Sequence, residues 1–400
     1  MGSIYNEVKK IKGYIVNARR VLHQCPEIDL NLPITSDYIQ NELTALGIQT
    51  TRLSSCSGIV GLIEGKKDGK VIALRADMDG LPIREETGLP FASKNGNMHA
   101  CGHDAHMAML LGAAKILTDF RESFNGCVKL LFQPGEERSG GALPMIREGV
   151  LQNPRVDAIL GQHIGNIDPS LKNGAVGIYN GVMMASQDHF NIKIIGKGAH
   201  GAIPAQGIDP IVISAAVVTA LQTLISREIN GTDSAVLTIG KITAGEAYNI
   251  IPGEAYIEGS LRTLDNKVRE KLERRIGELI SGICGAMGGH AKIDYVKGYP
   301  PLRNDKDFTA FLAGSAAKVI GRENIIQLGK PSMGSEDMAF FLEEVPGSYY
   351  FLSSVNDTNS FPHHNSHFDI DENIMPKGAA ILAQTALDWL CENGEYVAAS

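Results

Sequence analysis

The sequence predicts an α/β protein: a largely parallel sheet with helices on both faces, interrupted by an inserted ferredoxin-like α+β domain. Three observations carry that prediction. The first half alternates apolar strands with helices, the middle follows the order β-α-β-β-α-β, and the end returns to helix-rich, core-like sequence. At 400 residues the chain is also too long for one ordinary core, so two domains are expected.

The elements follow in order. "KVIALRAD" (70–77) reads as a buried strand ending in acid, and "AHMAMLLGAAKIL" (105–117) as a helix apolar on nearly every face, hence packed on all sides. "GCVKLLFQPGEE" (126–137) is a strand running into Gly and two acids, and "VDAILGQHI" (156–164) is a strand that closes on a histidine. Each is apolar until its carboxyl end, where polar residues begin. Ligands of open α/β sheets sit just outside those ends, so Asp77, Glu136, Glu137 and His163 are expected to converge. In the middle, strands are expected at 188–196, 235–245, 254–264 and 290–298, with helices at 209–226 and 266–287. The inserted domain is therefore placed at 187–297, between the two parts, 1–186 and 298–400, of a larger α/β domain.

Composition excludes several classes. With 44% hydrophobic and 20% charged residues, the chain is an ordinary globular one. A net charge of -8 argues against a nucleic-acid or anionic-membrane partner, since both require basic patches. No apolar run is expected to cross a membrane. The stretch "MGSIYNEVKKIKGYIVNARR" mixes Lys with Glu and lacks the apolar centre of a signal peptide. Six scattered cysteines without paired spacing fit a reducing cytoplasm.

The chemistry concentrates at "HACGHDAHMAM" (99–109), which places three histidines and a cysteine within eight residues ahead of core-like sequence. A packed interior tolerates that mixture only with a partner, and a metal ion is one. Cys101 and His103 are thiolate and imidazole donors suited to zinc-like ions. Glu136 and Glu137 read either as a solvated turn or as a pair that divides metal binding from water activation. His163 and the "HHNSH" cluster (363–367) read either as polar loop residues or as further ligands.

Long motifs now bring a resemblance into view: "LRADMDGLPI", "NMHACGHDAHMAMLLGAA", "LLFQPGEE", "GQHI", "GKGAHGAIP", "NIIPGEAYIEGSLRT", "MGSEDMAFF" and "HHNSHFDIDE". The chain resembles, over nearly its whole length, the amidohydrolase branch of the dinuclear metallo-carboxypeptidase/aminoacylase family. That branch includes hippurate hydrolase, indole-acetyl-amino-acid hydrolases and N-acetyl-diaminopimelate deacetylase. The resemblance implies two divalent ions per subunit, manganese or zinc with cobalt and nickel as alternatives, held by Cys101, His103, Glu137, His163 and His364. Cys101 would bridge them, Glu136 would be the general base, and Asp77 or Asp79 would orient the ligands. His363, beside His364, leaves the fifth ligand open by one residue.

The implied reaction is hydrolysis of the amide bond of an N-acyl amino acid, with a dipeptidase or carboxypeptidase as the alternative on the same scaffold. The inserted domain would serve as a lid and as the contact of a homodimer, with a tetramer as the larger alternative. In it, His200 would stabilise the oxyanion of the partner's site, while Asn249 and Arg262 would bind substrate, Arg262 by clamping its carboxylate. Two rival readings stand beside these: a cysteine hydrolase with Cys101 as nucleophile, and a non-catalytic metal-binding protein. The sequence departs from its relatives at Ala105, Gly135, Ser366 and His367, and has Ala205 where many carry a second histidine.

Overall fold

The computed structural model describes residues 3–355 and 361–391. It divides into two compact units. One comprises residues 1–181, 303–330 and 337–400, and the other 182–302 and 331–336. The span 187–297 expected for the insertion lies inside the second unit, whose bounds are wider by several residues at each end. That unit also recruits Pro331–Glu336, a distant segment that contiguous reading of the chain does not reveal.

The larger unit is built on an eight-stranded mixed sheet. Its centre is four parallel strands, in the order Cys127–Gln133, Val71–Asp77, Ala158–Gly165 and Gly347–Ser353. Strands Val71–Asp77 and Gly347–Ser353 are buried at every residue, as a parallel sheet covered on both faces requires. Beyond Cys127–Gln133 the sheet continues antiparallel through Ile59–Glu64 and Gln49–Arg52, two strands absent from the sequence reading. At the other flank Val176–Ile178 runs antiparallel to Gly347–Ser353 and parallel to Ile325–Gln327.

Helix His103–Asp119 lies at the centre of this unit, packed against helices Lys12–His23 and Met375–Leu390. Every residue from His103 to Ala114 is buried, which accounts for its apolar composition on all sides. Gly102 precedes it with φ +84°. That left-handed turn suits glycine, and it delivers Cys101 and His103 to the same edge of the sheet.

The smaller unit is a four-stranded antiparallel sheet in the order Ala235–Ala244, Glu254–Thr263, Asp188–Ile195 and His290–Lys297. With helices Pro210–Arg227 and Asn266–Ala286 this is the split βαβ arrangement expected for the insertion. Alternate residues Phe190, Ile192 and Ile194 meet Ile213, Val217 and Leu221 of one helix and Leu272, Ile276 and Ile280 of the other. Both helices begin at an aspartate, Asp209 and Asp265, whose side chain accepts from backbone N–H groups of the first turn. Helix Pro210–Arg227, 18 residues long, is apolar enough to cross a membrane by length and composition alone, a test that core helices also pass. Its apolarity divides between a row that packs on the sheet and exposed residues such as Ile211 and Val212.

Candidate metal centre

Four connections at the carboxyl edge of the parallel strands bring the candidate ligands of the larger unit together. Cys101 and His103 come from the approach to the central helix. Glu136 and Glu137 follow strand Cys127–Gln133, His163 is near the end of Ala158–Gly165, and His364 lies in the loop before Met375–Leu390. Gly135 takes φ +76° at the turn into the two acids, a left-handed backbone that suits glycine. The His364 N–H donates to the Ala100 carbonyl at 2.8 Å, tying the last ligand segment to the first. His364 itself sits at φ +62°, a conformation few non-glycine residues adopt.

The donors form overlapping sets. Ligand atoms of Cys101, His103 and His163 lie within 4.8 Å of one another, as do those of Cys101, Glu137 and His364, and those of His103, Glu136 and Glu137. Cys101 Sγ is 3.4 Å from His163 Nε2, and Glu137 Oε2 is 3.3 Å from His364 Nε2. His363 instead directs Nε2 at the Ile164 carbonyl, 3.2 Å away. Of the two adjacent histidines, His364 is therefore the one that faces Glu137.

These groups are under-satisfied for their burial. Neither ring nitrogen of His103 makes a hydrogen bond, nor does Glu137 Oε1, although all three atoms are shielded from solvent. The nearest carboxylate oxygens to His103 stand at 3.5 to 3.8 Å, on Asp79, Asp77 and Glu137. Buried polar atoms without partners cost about 1–3 kcal/mol each. Thiol, imidazole and carboxylate together are a donor set for divalent transition ions, so the residues present fit a metal.

Electrostatics agree. Burial pushes the Cys101 thiol well up, and the Glu137, Glu136 and Asp77 carboxylates push it further. Burial holds His163 well below its usual range, with His106 and His363 adding to the effect, so its imidazole is neutral. Its Nδ1 faces the Ile164 carbonyl at 3.0 Å, which leaves the Nε2 lone pair for Cys101 and its surroundings. For His103, burial acts downward, but the Asp77, Asp79 and Glu137 carboxylates outweigh it and push it up to about 10. A proton there stands in the place a cation would take.

Asp77 and Asp79 serve the surrounding shell. Asp79 accepts the backbone N–H of Glu136 at 2.9 Å and of Glu137 at 3.1 Å, fixing how the two acids part. Asp77 Oδ2 receives Arg75 Nη1 at 2.8 Å, and Arg75 continues to Gln133 and Asp337. The sequence reading did not anticipate Arg75, Gln133, Asp337 or His106. The first three signal themselves only as polar residues inside apolar runs. His106, four residues from Gly102 in the same histidine-rich stretch, carries no mark that separates it from a ligand. In the fold both its nitrogens are already engaged, by Asp77 Oδ1 and by the Ile164 N–H.

The remaining candidates belong to the smaller unit. His200 is exposed in a two-residue ladder with Ile250–Ile251, and Asn249 lies beside it, its carbonyl accepting the Gly201 N–H at 2.8 Å. The Ala202 N–H donates to His200 Nδ1 at 3.0 Å, so the hydrogen resides on Nε2. Arg262 lies elsewhere in that unit, with Nη1 on the Met333 carbonyl at 3.0 Å and Ser335 Oγ at 3.4 Å. It has no carboxylate partner among the described residues, and burial lowers its pKa. Ala205 is exposed.

Comparison with known proteins gives a consistent picture. Residues 73–388 match peptidase family M20/M25/M40. The chain is 40% identical over 386 residues to the N-acetyl-L-cysteine deacetylase of Bacillus subtilis, covering 96% of this chain and 90% of that protein. It is 37% identical to thermostable carboxypeptidase 1 of Saccharolobus solfataricus, covering 96% and 97%. The fold superposes with a TM-score of 0.82 and 33% identity on the Bacillus subtilis YXEP protein, a dinuclear metal binding peptidase from the M20 family, covering 96% and 99% of the two chains. The chain belongs to peptidase family M20/M25/M40.

Proposed function

We propose that this member of peptidase family M20/M25/M40 hydrolyses the amide bond of N-acyl amino acids, releasing a carboxylic acid and a free amino acid. The observation that carries the reading is the pair of donor triplets that share Cys101, with the Glu136 carboxylate at their side. Cys101, His103, Glu137, His163 and His364 would hold two divalent ions, manganese or zinc, with cobalt and nickel as substitutes, and Cys101 would bridge them. Such ions polarise an amide carbonyl and make a water molecule more acidic.

The protein's own residues supply the rest. Glu136 takes the proton of the attacking water and returns it to the departing amine. Asp79, by gripping both backbone N–H groups of the pair, supports the division in which Glu137 binds and Glu136 transfers the proton. Arg262 clamps the substrate carboxylate with its unpaired face, and Asn249 borders the same substrate. His200, with its hydrogen on Nε2, donates to the developing oxyanion.

His200 and Arg262 flank opposite ends of one strand. The His200 ladder leads through Pro252 and Gly253 into Glu254, and Arg262 comes eight residues later, about 26 Å on at the rise of an extended chain. That exceeds the reach of one N-acyl amino acid. It supports a homodimer, or a tetramer built from it, in which each chain lends His200, with Asn249 beside it, to the other's site. Exposed Val236 and Ile242 on the edge strand Ala235–Ala244, with Ile211 and Val212, offer an apolar surface for such pairing. Six free cysteines are in keeping with a reducing, cytoplasmic setting.

A panel of N-acetyl, N-benzoyl and longer N-acyl amino acids, with dipeptides and peptides alongside, tests the reading. Turnover should be highest on an N-acyl amino acid. Turnover confined to peptides would favour the carboxypeptidase, which the Saccharolobus relative keeps in view, and bound ions without any turnover would favour a metal-binding protein. Refolding a mixture of His200→Ala and Glu136→Gln chains should restore roughly a quarter of wild-type activity if His200 serves the partner. A mixture that stays inactive, with mixed dimers verified by mass, rejects that arrangement.

A further inference from the structure

We propose that His106 is a positioning residue for two of the metal ligands at once, acting through the backbone of Ile164 on His163 and through Asp77, whose carboxylate faces His103, on His103. The inference rests on the metal site proposed above. His106 is fully buried one turn along the helix from His103, with the two imidazoles stacked at 5.4 Å. Its ring also meets His163 edge-on at 4.8 Å.

Its two hydrogen bonds fix a single tautomer. The Ile164 N–H lies 2.8 Å from His106 Nε2, and a backbone amide only donates, so Nε2 is the acceptor. The hydrogen then belongs to Nδ1, which donates to Asp77 Oδ1 at 2.5 Å. With both nitrogens engaged, His106 offers no lone pair to an ion, although it lies close to Asp77 and His103.

The consequences travel to both sides. The Ile164 carbonyl, on the residue whose N–H His106 holds, faces His163 Nδ1 at 3.0 Å and His363 Nε2 at 3.2 Å. That carbonyl orients the His163 ring so that Nε2 faces Cys101. A rotation of the Ile164 residue would turn the donor away. On the other side, Asp77 Oδ2 stands 3.7 Å from His103 Nε2 while Arg75 holds the same oxygen. His106 thus links the strand that carries one ligand to the carboxylate that faces another. Losing such an outer partner commonly weakens metal binding about 10–100-fold.

Two substitutions separate the arms. His106→Asn places an amide near the Nδ1 position, keeping a donor for Asp77 while removing the acceptor of the Ile164 N–H. His106→Gln does the reverse. Wild type and both variants, stripped of metal, are titrated with Mn²⁺ and with Zn²⁺, and bound ions are counted by elemental analysis. Thermal unfolding of the metal-free chains runs in parallel. Each variant should bind about 10–100-fold more weakly, while the metal-free chain still unfolds in one cooperative transition, at a temperature lowered only by the loss of one buried hydrogen bond. In a His163→Ala background the His106→Asn loss should largely disappear, because the ligand it positions is gone. Should His106→Asn fail to fold, His106→Gln in a His103→Ala background carries the same test. Wild-type affinity in the variants, or losses that simply add to those of the ligand substitutions, overturns the role. A wild-type chain that takes up no ion rejects the metal site itself, a separate outcome visible in the control.

Discussion

His103 and Asp104 are neighbours in the first turn of one helix, both fully buried, yet they sit in opposite kinds of charged cluster. Asp104 Oδ2 receives Arg19 Nε at 3.0 Å and His23 Nδ1 at 2.7 Å. Arg19 also reaches Asp369 at 2.6 Å and Glu372 at 3.1 Å, and His23 Nε2 meets Glu85 at 3.2 Å. There Arg19 and His23 supply counter-charges from within the chain to the carboxylates they touch, although Asp104 Oδ1 itself has no hydrogen-bond partner. Around His103, by contrast, Asp77, Asp79, Glu136 and Glu137 gather with a thiol and imidazoles whose atoms go partly unpaired, and Arg75 is bound to Asp77 and Asp337. Burial of charge is common to both. What separates a structural cluster from a binding site is whether the chain supplies its own counter-ions.

The sharpest way to break that contrast is to remove the internal counter-ion. Arg19→Met leaves Asp104, Asp369 and Glu372 facing one another, and should cost about 3–5 kcal/mol, the penalty for breaking a buried pair. Denaturant unfolding measures the loss, and the folded variant should retain wild-type metal content. A variant of unchanged stability would mean that the Arg19 cluster is no keystone. Glu136→Gln touches the other cluster: activity should fall by at least about 100-fold, equivalent to about 2.7 kcal/mol, with metal content preserved. Glu137→Gln should instead lower metal content. Elemental analysis beside turnover distinguishes them, and swapped phenotypes would reverse the two roles.

A smaller effect comes from His23. Burial alone would lower its pKa, but Asp104 and Glu85 outweigh that and push it up to about 9. A group raised in the folded state stabilises fully below its unfolded pKa, near 6.5, and its contribution disappears as pH climbs through about 9. Metal-free protein should therefore lose about 1 kcal/mol of this contribution between pH 7 and pH 8. The pH dependence of the urea midpoint should be shallower in His23→Gln. Equal slopes would show that His23 is not charged in the fold.

How much of this was legible in the sequence follows from the range of each interaction. Strands such as Val71–Asp77 and Ala158–Gly165 announce themselves through unbroken apolar runs, and their polar ends mark the sheet edge where Asp77 and His163 lie. Helical and strand periodicity likewise exposes the four long strands and two helices of the smaller unit, but not the two-residue ladder of Ala199–His200 with Ile250–Ile251, which is too short to carry a period. The second unit's claim on Pro331–Glu336 is hidden, because it depends on a contact between distant segments. Arg75 pairs with Asp337 across 262 residues, and no local pattern predicts that. His106 is silent for a different reason: one of its partners is a backbone N–H, which any residue but proline at position 164 would provide. The choice between His363 and His364 needed the backbone turn at φ +62°, since the two side chains are chemically identical.

The most direct test of the metal site is a titration of metal-stripped protein with Mn²⁺ or Zn²⁺, following bound ions and N-acyl amino acid hydrolysis in the same samples. Two ions per chain should bind, with activity absent at the start and returning as they do. Cys101→Ser should bind them less tightly, because a neutral hydroxyl replaces a shared thiolate. Full activity in protein shown to be free of metal, or a chain that takes up no ion at these residues, would contradict the assignment.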